Sequence, residues 1–415
     1  MSTPDKKPID TELAFSLEET FPDAEGIFFG GFESLTACAS DAIIVLDTNV
    51  LLMPYSLGNQ SILEIKKVYE KLISTRRLFI PERVAREFAS NRAAKVAEIY
   101  ASIQNKKNGK TKHEFNYPLI NDLAERKAVD QALLEFKEAE KAYFRSIDDL
   151  LEKIRSWEWA DPVSDLYSSL FNSSVLCTHK LTNEELKKEL AHRFKLKLPP
   201  GYKDSTKDDG GIGDLAIWLS LLELGKEKKR HVIFVSEETK PDWWQRSNGA
   251  EFLPRYELVD EYRRASSGKS LHLVKLSGLL QLFEASNTAV EEAQSVERMN
   301  RSKLDRARQL LILMKEKEQA RFRKLSRAEQ KAEMLRWFHS NYVDPVEICP
   351  YESAEGGYQY IWGGPYDPLE ELESEFSGIA SDKLISEVAD ELNDISWEWS
   401  GQPESDELDD PDEYL

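Results

Sequence analysis

The chain of 415 residues is long enough for two or three domains with full hydrophobic cores. It has no run of about 18 apolar residues, and its N-terminus has no apolar core behind the charges, so neither a membrane span nor a secretory signal is expected. Cys38, Cys177 and Cys349 lie far apart without a CxxC partner, and the six histidines form no ligand-like pair. Disulfide scaffolds and zinc sites are therefore not expected, and a reducing cytoplasm fits.

The formal net charge of −20 is concentrated at the C-terminal end of the chain. Residues 341–415 contain 22 Asp and Glu against one basic residue, Lys383, so the other 340 residues hold 53 acidic and 54 basic side chains. The acidic tail repels nucleic acid, whereas the rest is nearly neutral with patches of both signs. The net charge therefore does not exclude a nucleic-acid substrate.

The N-terminal region leads into a strongly apolar strand. Residues 1–26 are polar and predict a flexible segment, and the aromatic stretch 26–32 predicts a segment that packs against the first domain. Ile43–Leu46 is apolar and β-branched, which predicts a strand buried on both faces, as in a parallel sheet. The strand ends on Asp47, which is therefore either a helix cap or a metal ligand.

Strands and helices then alternate as far as residue 285. Helices are predicted over 59–74, 81–105, from Asp214 onward and over 277–285, and strands at 78–80, 232–235 and 271–274. Residues 106–198 have helical spacing and predict a long helical insertion, and residues 199–213 form a loop rich in Pro, Gly and Asp. This order predicts one α/β domain with a parallel sheet over 27–285.

Residues 286–340 predict a basic helical connector. From Arg298 to Lys331 there are twelve Lys and Arg against four acids, with apolar residues at helical spacing. In one interpretation, the basic polar side of this helical connector neutralises phosphates of a nucleic acid. The candidate contacts are Arg306, Arg308, Arg321 and Arg323. A solvated coiled-coil or linker helix is the alternative interpretation.

Residues 341–403 predict a small acidic α+β module, and residues 404–415 predict a disordered acidic tail. Tyr358–Tyr366 is typical of an aromatic strand that ends in a Gly-Gly-Pro turn, and helices are predicted over 369–376 and 384–392. Because the tail is acidic and the connector basic, one hypothesis is an intramolecular inhibitor that covers a nucleic-acid site. A separate protein that inhibits the active site is the alternative.

Acidic residues recur where the predicted elements meet one rim of the sheet. They are Asp47 after the first strand, Glu87 two turns into a helix, Asp214 at a helix N-terminus, and Glu237, Glu238 and Asp242 after the third strand. Crowded carboxylates repel one another unless a cation neutralises them. A shared rim therefore predicts Mg²⁺ or Mn²⁺, hard ions that prefer carboxylate oxygens, whereas the alternative is a set of helix caps and surface acids.

Several of these segments also carry a family resemblance. They are Leu46-Asp47-Thr48-Asn49, Glu87 on a helix, Gly213-Asp214 on the next, and Val235-Ser236-Glu237-Glu238 after a strand. Together they resemble the PIN-domain ribonucleases. The Pro-Pro-Gly-Tyr-Lys-Asp loop at 199–204, the helix start at 213–218 and Lys-Pro-Asp-Trp-Trp at 240–244 are more similar to a bacterial PIN-like subfamily with a long helical insertion.

The resemblance covers residues 27–285 and implies a PIN-like α/β/α sandwich. It also implies metal-dependent endonucleolytic cleavage, usually of RNA, in which carboxylate-bound ions activate water. Asp47, Glu87 and Asp214 match the metal-binding acids of the family, and Glu238 completes the candidate catalytic set.

The pair Glu237-Glu238 departs from the family pattern, because members usually carry Asn/Asp-Asp there. Glu is one methylene longer, which leaves the fourth ligand open between this pair, Asp242 and the weaker candidate Asp204. Ser236 and Thr48 are either hydrogen-bond partners of the ligands or turn residues.

Basic and aromatic residues near the acids add candidates for nucleic-acid contact. Lys203 and Lys240 are the basic candidates. Trp243 and Trp244 either stack on bases or pack against the rim of the sheet. Trp218 lies in an apolar helix and predicts a core position.

By analogy, the resemblance suggests a cytoplasmic RNase of toxin–antitoxin or phage-defence systems, with a homo-oligomer left open. Two alternatives are a non-catalytic PIN-fold scaffold that binds RNA or protein, which the Glu-Glu pair favours, and a structure-specific DNA nuclease of the related flap type. A haloacid-dehalogenase-type phosphatase is not expected, because such an enzyme needs a second Asp two residues after Asp47 and this chain has Asn49 there.

Overall fold

In a computed structural model of the protein, the described residues are 14–108, 118–202, 210–247, 250–342, 344–347, 358–361 and 368–399. They fall into two compact units, with the division between Asn300 and Arg301. The predicted tail 404–415, together with Lys203 and Asp204, lies outside the described residues. No helix among the described residues is long and apolar enough to cross a membrane.

The first unit contains an α/β domain. Its strands are β1 (Ile43–Leu46), β2 (Leu78–Pro81), β3 (Leu176–Cys177), β4 (Val232–Val235), β5 (Trp244–Ser247), β6 (Ala250–Pro254) and β7 (Leu271–Val274). Its helices are α1 (Ser16–Thr20), α2 (Ala24–Phe29), α3 (Leu35–Cys38), α4 (Thr48–Leu52), α5 (Asn59–Ser74), α6 (Glu82–Gln104), α7 (Ala124–Arg155), α8 (Pro162–Leu170), α9 (Asn183–Leu196), α10 (Ile212–Lys228), α11 (Tyr256–Ala265) and α12 (Leu276–Leu282). The long helix α13 (Asn287–Phe322) begins in this unit and ends in the second.

A five-stranded parallel sheet forms the centre of the first unit, in the order β3-β2-β1-β4-β7. Ile44 in the central strand lies opposite Leu78 on one side and Ile233 on the other. Every residue of β1, β2 and β4 is buried, so both faces of the sheet are covered. The predicted α/β fold with a central parallel sheet is confirmed.

Strand β3 was not predicted, because it lies within the stretch 106–198 that has helical spacing. Leu176 and Cys177 pair in parallel with Ile80 and Pro81 at the edge of the sheet. A strand of two residues is too short to show the alternation by which strands are recognised in a sequence. The other long elements of the described insertion, α7, α8 and α9, are helical as predicted.

The hairpin β5–β6 and helix α11 were also not predicted. Trp244 lies opposite Pro254 in the antiparallel pair, and the register shifts between Gln245 and Arg246. Residues 248–249 read Asn-Gly, a dipeptide typical of hairpin turns, so the sequence did contain a signal for this element.

The segment 26–32 packs on α11, in part as predicted. The Phe32 ring contacts the Tyr256 ring with centroids 6.2 Å apart, and Arg263 forms an ion pair of 2.7 Å with Asp23 just upstream. Phe28, in contrast, is 83% exposed, so the aromatic character of this segment does not mark a fully buried surface.

A buried arginine connects three helices beneath the loop that leads to α10. Arg193 on α9 is 4% exposed, donates to the carbonyl of Pro199 at 2.6 Å and pairs with Glu261 on α11. Trp218 on α10 donates its indole N–H to the same Glu261 carboxylate at 2.7 Å. This network fixes the start of the loop that precedes Asp214.

The second unit has its own hydrophobic core. Its elements after α13 are α14 (Arg327–Tyr342), β8 (Asp344–Glu347), β9 (Tyr358–Ile361), α15 (Pro368–Phe376) and α16 (Asp382–Trp399). Phe322, Met334, Phe338, Leu372 and Val388 are among its buried residues. The basic stretch therefore belongs to two helices, and the second of them packs with the acidic helices.

Replacing Arg193 with Met is expected to lower the free energy of unfolding by about 3 kcal/mol, because it removes the charged partner of the mostly buried Glu261 carboxylate and the donor to the carbonyl of Pro199. The matched control is Lys187→Met on the same helix, whose side chain is 64% exposed and pairs with Glu184 at 3.2 Å. That variant should change the free energy by no more than about 0.5 kcal/mol. Urea denaturation followed by tryptophan fluorescence measures both, and equal effects would contradict the structural role of Arg193.

Candidate active site at the sheet rim

Asp47 follows the last residue of β1 and caps helix α4. Its side chain accepts the backbone N–H of Thr48 at 2.7 Å and the amide of Asn49 at 2.8 Å. The hydroxyl of Ser236, the first residue after β4, donates to Asp47 Oδ2, the oxygen that also accepts the amide of Asn49. Asp47 as a whole residue is 9% exposed, and its carboxylate accepts hydrogen bonds from residues that follow two neighbouring strands.

Glu87 reaches the same place from helix α6. The hydroxyl of Thr48 donates to Glu87 Oε2 at 2.6 Å, and Arg83, one turn earlier on the helix, contacts Glu87 Oε1 at 2.7 Å. Thr48 thus joins two carboxylates: its backbone N–H donates to Asp47 and its hydroxyl to Glu87.

Glu238 is fixed by the turn that follows β4. Its Oε1 accepts the backbone N–H groups of Thr239 at 2.7 Å and Lys240 at 2.9 Å, and its own N–H donates to the Ser236 hydroxyl at 2.9 Å. Its carbonyl accepts the indole N–H of Trp244 at 2.8 Å. The carboxylate is therefore oriented by backbone donors on one side and leaves Oε2 for a cation.

Asp214 lies in the first turn of α10 and meets Glu238 through a lysine. Lys240 Nζ is 2.8 Å from Asp214 Oδ2 and 3.3 Å from Glu238 Oε2. The structure therefore brings Asp47, Glu87, Asp214 and Glu238 to one rim, where Thr48, Ser236 and Lys240 connect them in one chain of polar contacts.

Glu237 points to a different set of neighbours. Lys275 Nζ lies 4.0 Å from its Oε2, and its Oε1 is buried without a hydrogen-bond partner among the described residues. Burial, followed by the nearby charge of Glu297 on α13, raises the pKa of Glu237 to about 7. Glu297 itself accepts the N–H and hydroxyl of Ser277 at 2.9 and 2.8 Å.

Asp242 is fully buried and holds the loop before α10. Its Oδ2 accepts the backbone N–H of Gly201 at 2.8 Å, and burial raises its pKa. Its Oδ1 has no partner in the part of the chain that the structure describes. The contacts describe a positioning residue for the loop, and a role as metal ligand stays a prediction.

The two tryptophans after Asp242 differ in their environments. Trp243 is 2% exposed and stacks on Phe234 of β4 with ring centroids 5.3 Å apart, and Trp218 meets it edge-on at 6.1 Å. Trp244 is partly buried at the core edge. Packing against the sheet, the second of the two interpretations, therefore holds for Trp243, and Trp218 is a core residue as predicted.

The candidate RNA-contacting arginines belong to the second unit. Arg321 pairs with Glu333, and Arg323 donates to the carbonyl of Gly378 at 3.0 Å. Arg308 has a weak ion pair of 3.8 Å with Asp305. Arg306 is exposed on α13.

Two cations at the rim were not predicted from the sequence. Arg83 lies four residues before Glu87 on the same helix, a spacing that places both side chains on one face and could have revealed the pair. Lys275 follows β7, the strand beside β4, so its position after a strand end was the available signal.

Asp47 is buried at the rim among neutral hydrogen-bond donors. The pKa of Asp47 is raised to about 6, mainly by burial and in addition by the charges of Glu238 and Glu87. The hydrogen bonds from Ser236 and Thr48 lower this pKa but do not cancel the rise. Its donors are neutral groups, whereas Glu87 and Glu238 each contact a cationic side chain.

The parallel α/β sheet with carboxylates beyond its strand ends is consistent with a nuclease-type domain. The family model described as "PIN like domain" matches residues 43–258, which is more than half of the chain, and the chain belongs to this PIN-like family. No curated protein and no solved structure matches it. The α/β sandwich implied by the resemblance is thereby confirmed.

Replacing Asp47 with Asn should change stability in a pH-dependent way. The pKa of Asp47 is raised from 3.8 to about 6 in the folded state, so its contribution to stability is full below about pH 4 and is lost as the pH rises through about 6. Because Asn does not titrate, the free energy of unfolding of Asp47→Asn relative to wild type should rise by about 3 kcal/mol between pH 4 and pH 7. The melting temperature of the variant relative to wild type should rise over the same range.

Thermal unfolding in EDTA across this pH range measures the difference between the two proteins. Asp305→Asn is the matched control, because the Asp305 side chain is 53% exposed and its variant should show a nearly constant difference. A constant difference for Asp47→Asn as well would show that Asp47 is already ionised at low pH.

Proposed function

We propose that the protein is a divalent-metal-dependent endoribonuclease whose active site is the rim formed by Asp47, Glu87, Asp214 and Glu238. PIN-like domains are generally nucleases, and that coarser assignment follows from the family. The observation that supports the finer proposal most strongly is the chain of contacts that links these four acids. Acids that only cap helices need not share polar partners, whereas these four carboxylates are linked through Thr48, Ser236 and Lys240.

The donor chemistry of the rim fits Mg²⁺ or Mn²⁺. Among the described residues, no three Asp, Glu, His or Cys side chains are already arranged around an ion position. The acids instead contact hydroxyl groups and Lys240, and the raised pKa of buried Asp47 reflects in part the charges of Glu238 and Glu87. Such a rim favours a cation, and carboxylate oxygens are the donors that these hard ions prefer.

In this proposal Asp47, Glu87, Asp214 and Glu238 hold the ions, and Glu237 and Asp242 stay the alternatives for further ligands. When bound, the ions lower the pKa of a coordinated water and stabilise negative charge on phosphate. Thr48 and Ser236 orient the carboxylate of Asp47. Arg83 holds Glu87 toward Thr48, so the acid stays at the rim when no ion is present.

RNA as the substrate rests on the family resemblance. A structure-specific DNA nuclease uses the same chemistry, so the substrate has to be tested directly. A non-catalytic scaffold is the second candidate function, and it is favoured by Glu237-Glu238 and by the lack, among the described residues, of three side chains arranged around an ion.

Asp47→Asn, Glu87→Gln and Asp214→Asn are each expected to lower Mn²⁺-dependent RNA cleavage by at least about 100-fold, because each removes a charge that holds the ions. Glu82→Gln is the control on the same helix as Glu87; Glu82 pairs with Arg86 at 2.6 Å and lies outside the contact chain. Its cleavage rate should stay close to wild type. End-mapping of total RNA, with circular dichroism to verify folding, provides the measurement.

Unchanged cleavage in a folded Asp47→Asn protein would disprove the catalytic assignment. Single-stranded RNA and branched DNA of equal length should be compared in the same assay. Preferential cleavage of branched DNA would favour the flap-type alternative, and no Mn²⁺ binding with retained RNA binding would favour the scaffold.

The basic side chains of α13 are proposed to add sequence-independent affinity for RNA. Arg306→Gln together with Arg308→Gln should weaken RNA binding and reduce the slope of log K against log salt by about 1 to 2, because each lost phosphate contact releases about one fewer counterion. The matched control is Lys187→Gln, which removes a 64% exposed positive charge that lies on α9 and outside α13. Fluorescence anisotropy over a salt series measures both, and an equal loss in the control would argue against a specific contribution of α13.

A restrained nuclease of the toxin or phage-defence type remains the biological role that we propose by analogy, with the homo-oligomer left open. Within the second unit, Lys331 contacts Glu387 at 3.6 Å, and it also pairs with Glu391. Arg327 pairs with Glu387 as well. Glu387 and Glu391 of the C-terminal module therefore already have basic partners in α14. An intramolecular inhibitor would use other acids of this module.

A further inference from the structure

Lys240 lies between two of the acids that the proposed function assigns to metal binding. Its Nζ is 2.8 Å from Asp214 Oδ2 and 3.3 Å from Glu238 Oε2, and the side chains of the three residues are 21%, 19% and 19% exposed. Such a partly buried ammonium interacts with carboxylates more strongly than a surface lysine does.

The backbone holds this lysine firmly in place. The carbonyl of Lys240 accepts the N–H groups of Trp243 and Trp244, both at 3.1 Å, and its own N–H donates to Glu238 at 2.9 Å. Trp243 is packed in the core, so the turn cannot move without disturbing it. The Cα of Lys240 is therefore fixed beside the rim, while its four-carbon side chain retains torsional freedom.

We propose that Lys240 is a built-in counter-cation: its ammonium holds Asp214 and Glu238 together in the metal-free protein, and a divalent ion displaces it. This inference rests on the proposed function. Once freed from the two acids, the ammonium would stay near the rim at the end of its flexible side chain and would bind a phosphate oxygen of the substrate as a point charge. Lys240 is thus a positioning residue for the acids and a contact for the substrate.

The charges at the rim explain why such a residue is useful. Asp214 and Glu238 without a cation between them would repel each other and move apart. The ammonium of Lys240 keeps the two carboxylates close together. The cost is competition, because an ion would have to displace the ammonium. The apparent affinity for the ion is the intrinsic affinity multiplied by the fraction of molecules in which the acids are not paired with Lys240.

The chain provides a matched control for this arrangement. Lys180 also contacts two carboxylates, Glu223 and, at 3.3 Å, Glu227, but its side chain is 70% exposed and lies outside the contact chain at the rim. Lys180→Met therefore removes one lysine and two ion pairs without changing the proposed metal site.

The experiment compares the full-length wild-type protein with Lys240→Met, Lys240→Gln and Lys180→Met. Thermal unfolding is measured in EDTA and in saturating Mn²⁺, and Mn²⁺ affinity is measured by titration calorimetry. We expect Lys240→Met and Lys240→Gln to unfold at a lower temperature in EDTA, to bind Mn²⁺ roughly three- to tenfold more tightly, and to gain more stability from Mn²⁺ than wild type does.

RNA cleavage at saturating Mn²⁺ should nevertheless fall at least about tenfold in both Lys240 variants, because the substrate loses a phosphate contact. The opposite changes in metal affinity and cleavage distinguish this role from a structural ion pair. Lys180→Met should leave Mn²⁺ affinity and cleavage unchanged.

Equal destabilisation with and without Mn²⁺, together with unchanged Mn²⁺ affinity, would show that Lys240 is only structural and would overturn the inference. Unchanged cleavage in the Lys240 variants would disprove the proposed contact between Lys240 and the substrate. If the wild-type protein and the Lys240 variants all fail to bind Mn²⁺ or to cleave RNA, the proposed function itself fails. Tight binding by wild type with no gain in the variants disproves only the role of Lys240.

Discussion

The rim depends on the register between β1 and β4. Leu46 lies opposite Val235, so the next residues, Asp47 and Ser236, come side by side, and the Ser236 hydroxyl donates to the Asp47 carboxylate. The backbone N–H of Asp47 also donates to the carbonyl of Val235 at 3.0 Å. A slip of one residue would separate these two groups and turn the apolar residues of β1 to the other face. The packing of the sheet therefore sets the geometry of the site.

The protein opposes most of the negative charge at this rim with its own cations. Arg83 contacts Glu87, Lys240 contacts Asp214 and Glu238, and Lys275 approaches Glu237. Asp47 is different, because the donors to its carboxylate are a backbone N–H, an amide and a hydroxyl. Neutral donors only partly offset the cost of burying a charge, which is why the pKa of Asp47 rises to about 6. Asp47, which follows the central strand β1, is therefore the rim acid whose charge is offset by neutral donors among the described residues.

Much of this arrangement was predictable because it follows from parallel strands. Ile43–Leu46 and Val232–Val235 are apolar runs, and residues that follow such strands meet at one edge of the sheet. The edge strand β3 was not predictable, since two residues carry no periodicity. The role of Lys240 was not predictable either, because its partner Asp214 is 26 residues away and the contact depends on tertiary structure. A sequence reveals which residues end a strand but not which side chains then meet.

The paired glutamates after β4 show how one extra methylene can be used. Glu238 turns back onto its own loop, where Thr239 and Lys240 donate to one of its oxygens, while the other remains directed to the ammonium. Glu237 instead lies near Lys275 and the charge of Glu297 on α13. A shorter side chain at either position would reach less far along these directions. The longer pair therefore keeps one acid at the rim and sends the other toward the helix that continues into the second unit, so the departure from the usual family pattern does not in itself remove the fourth acid.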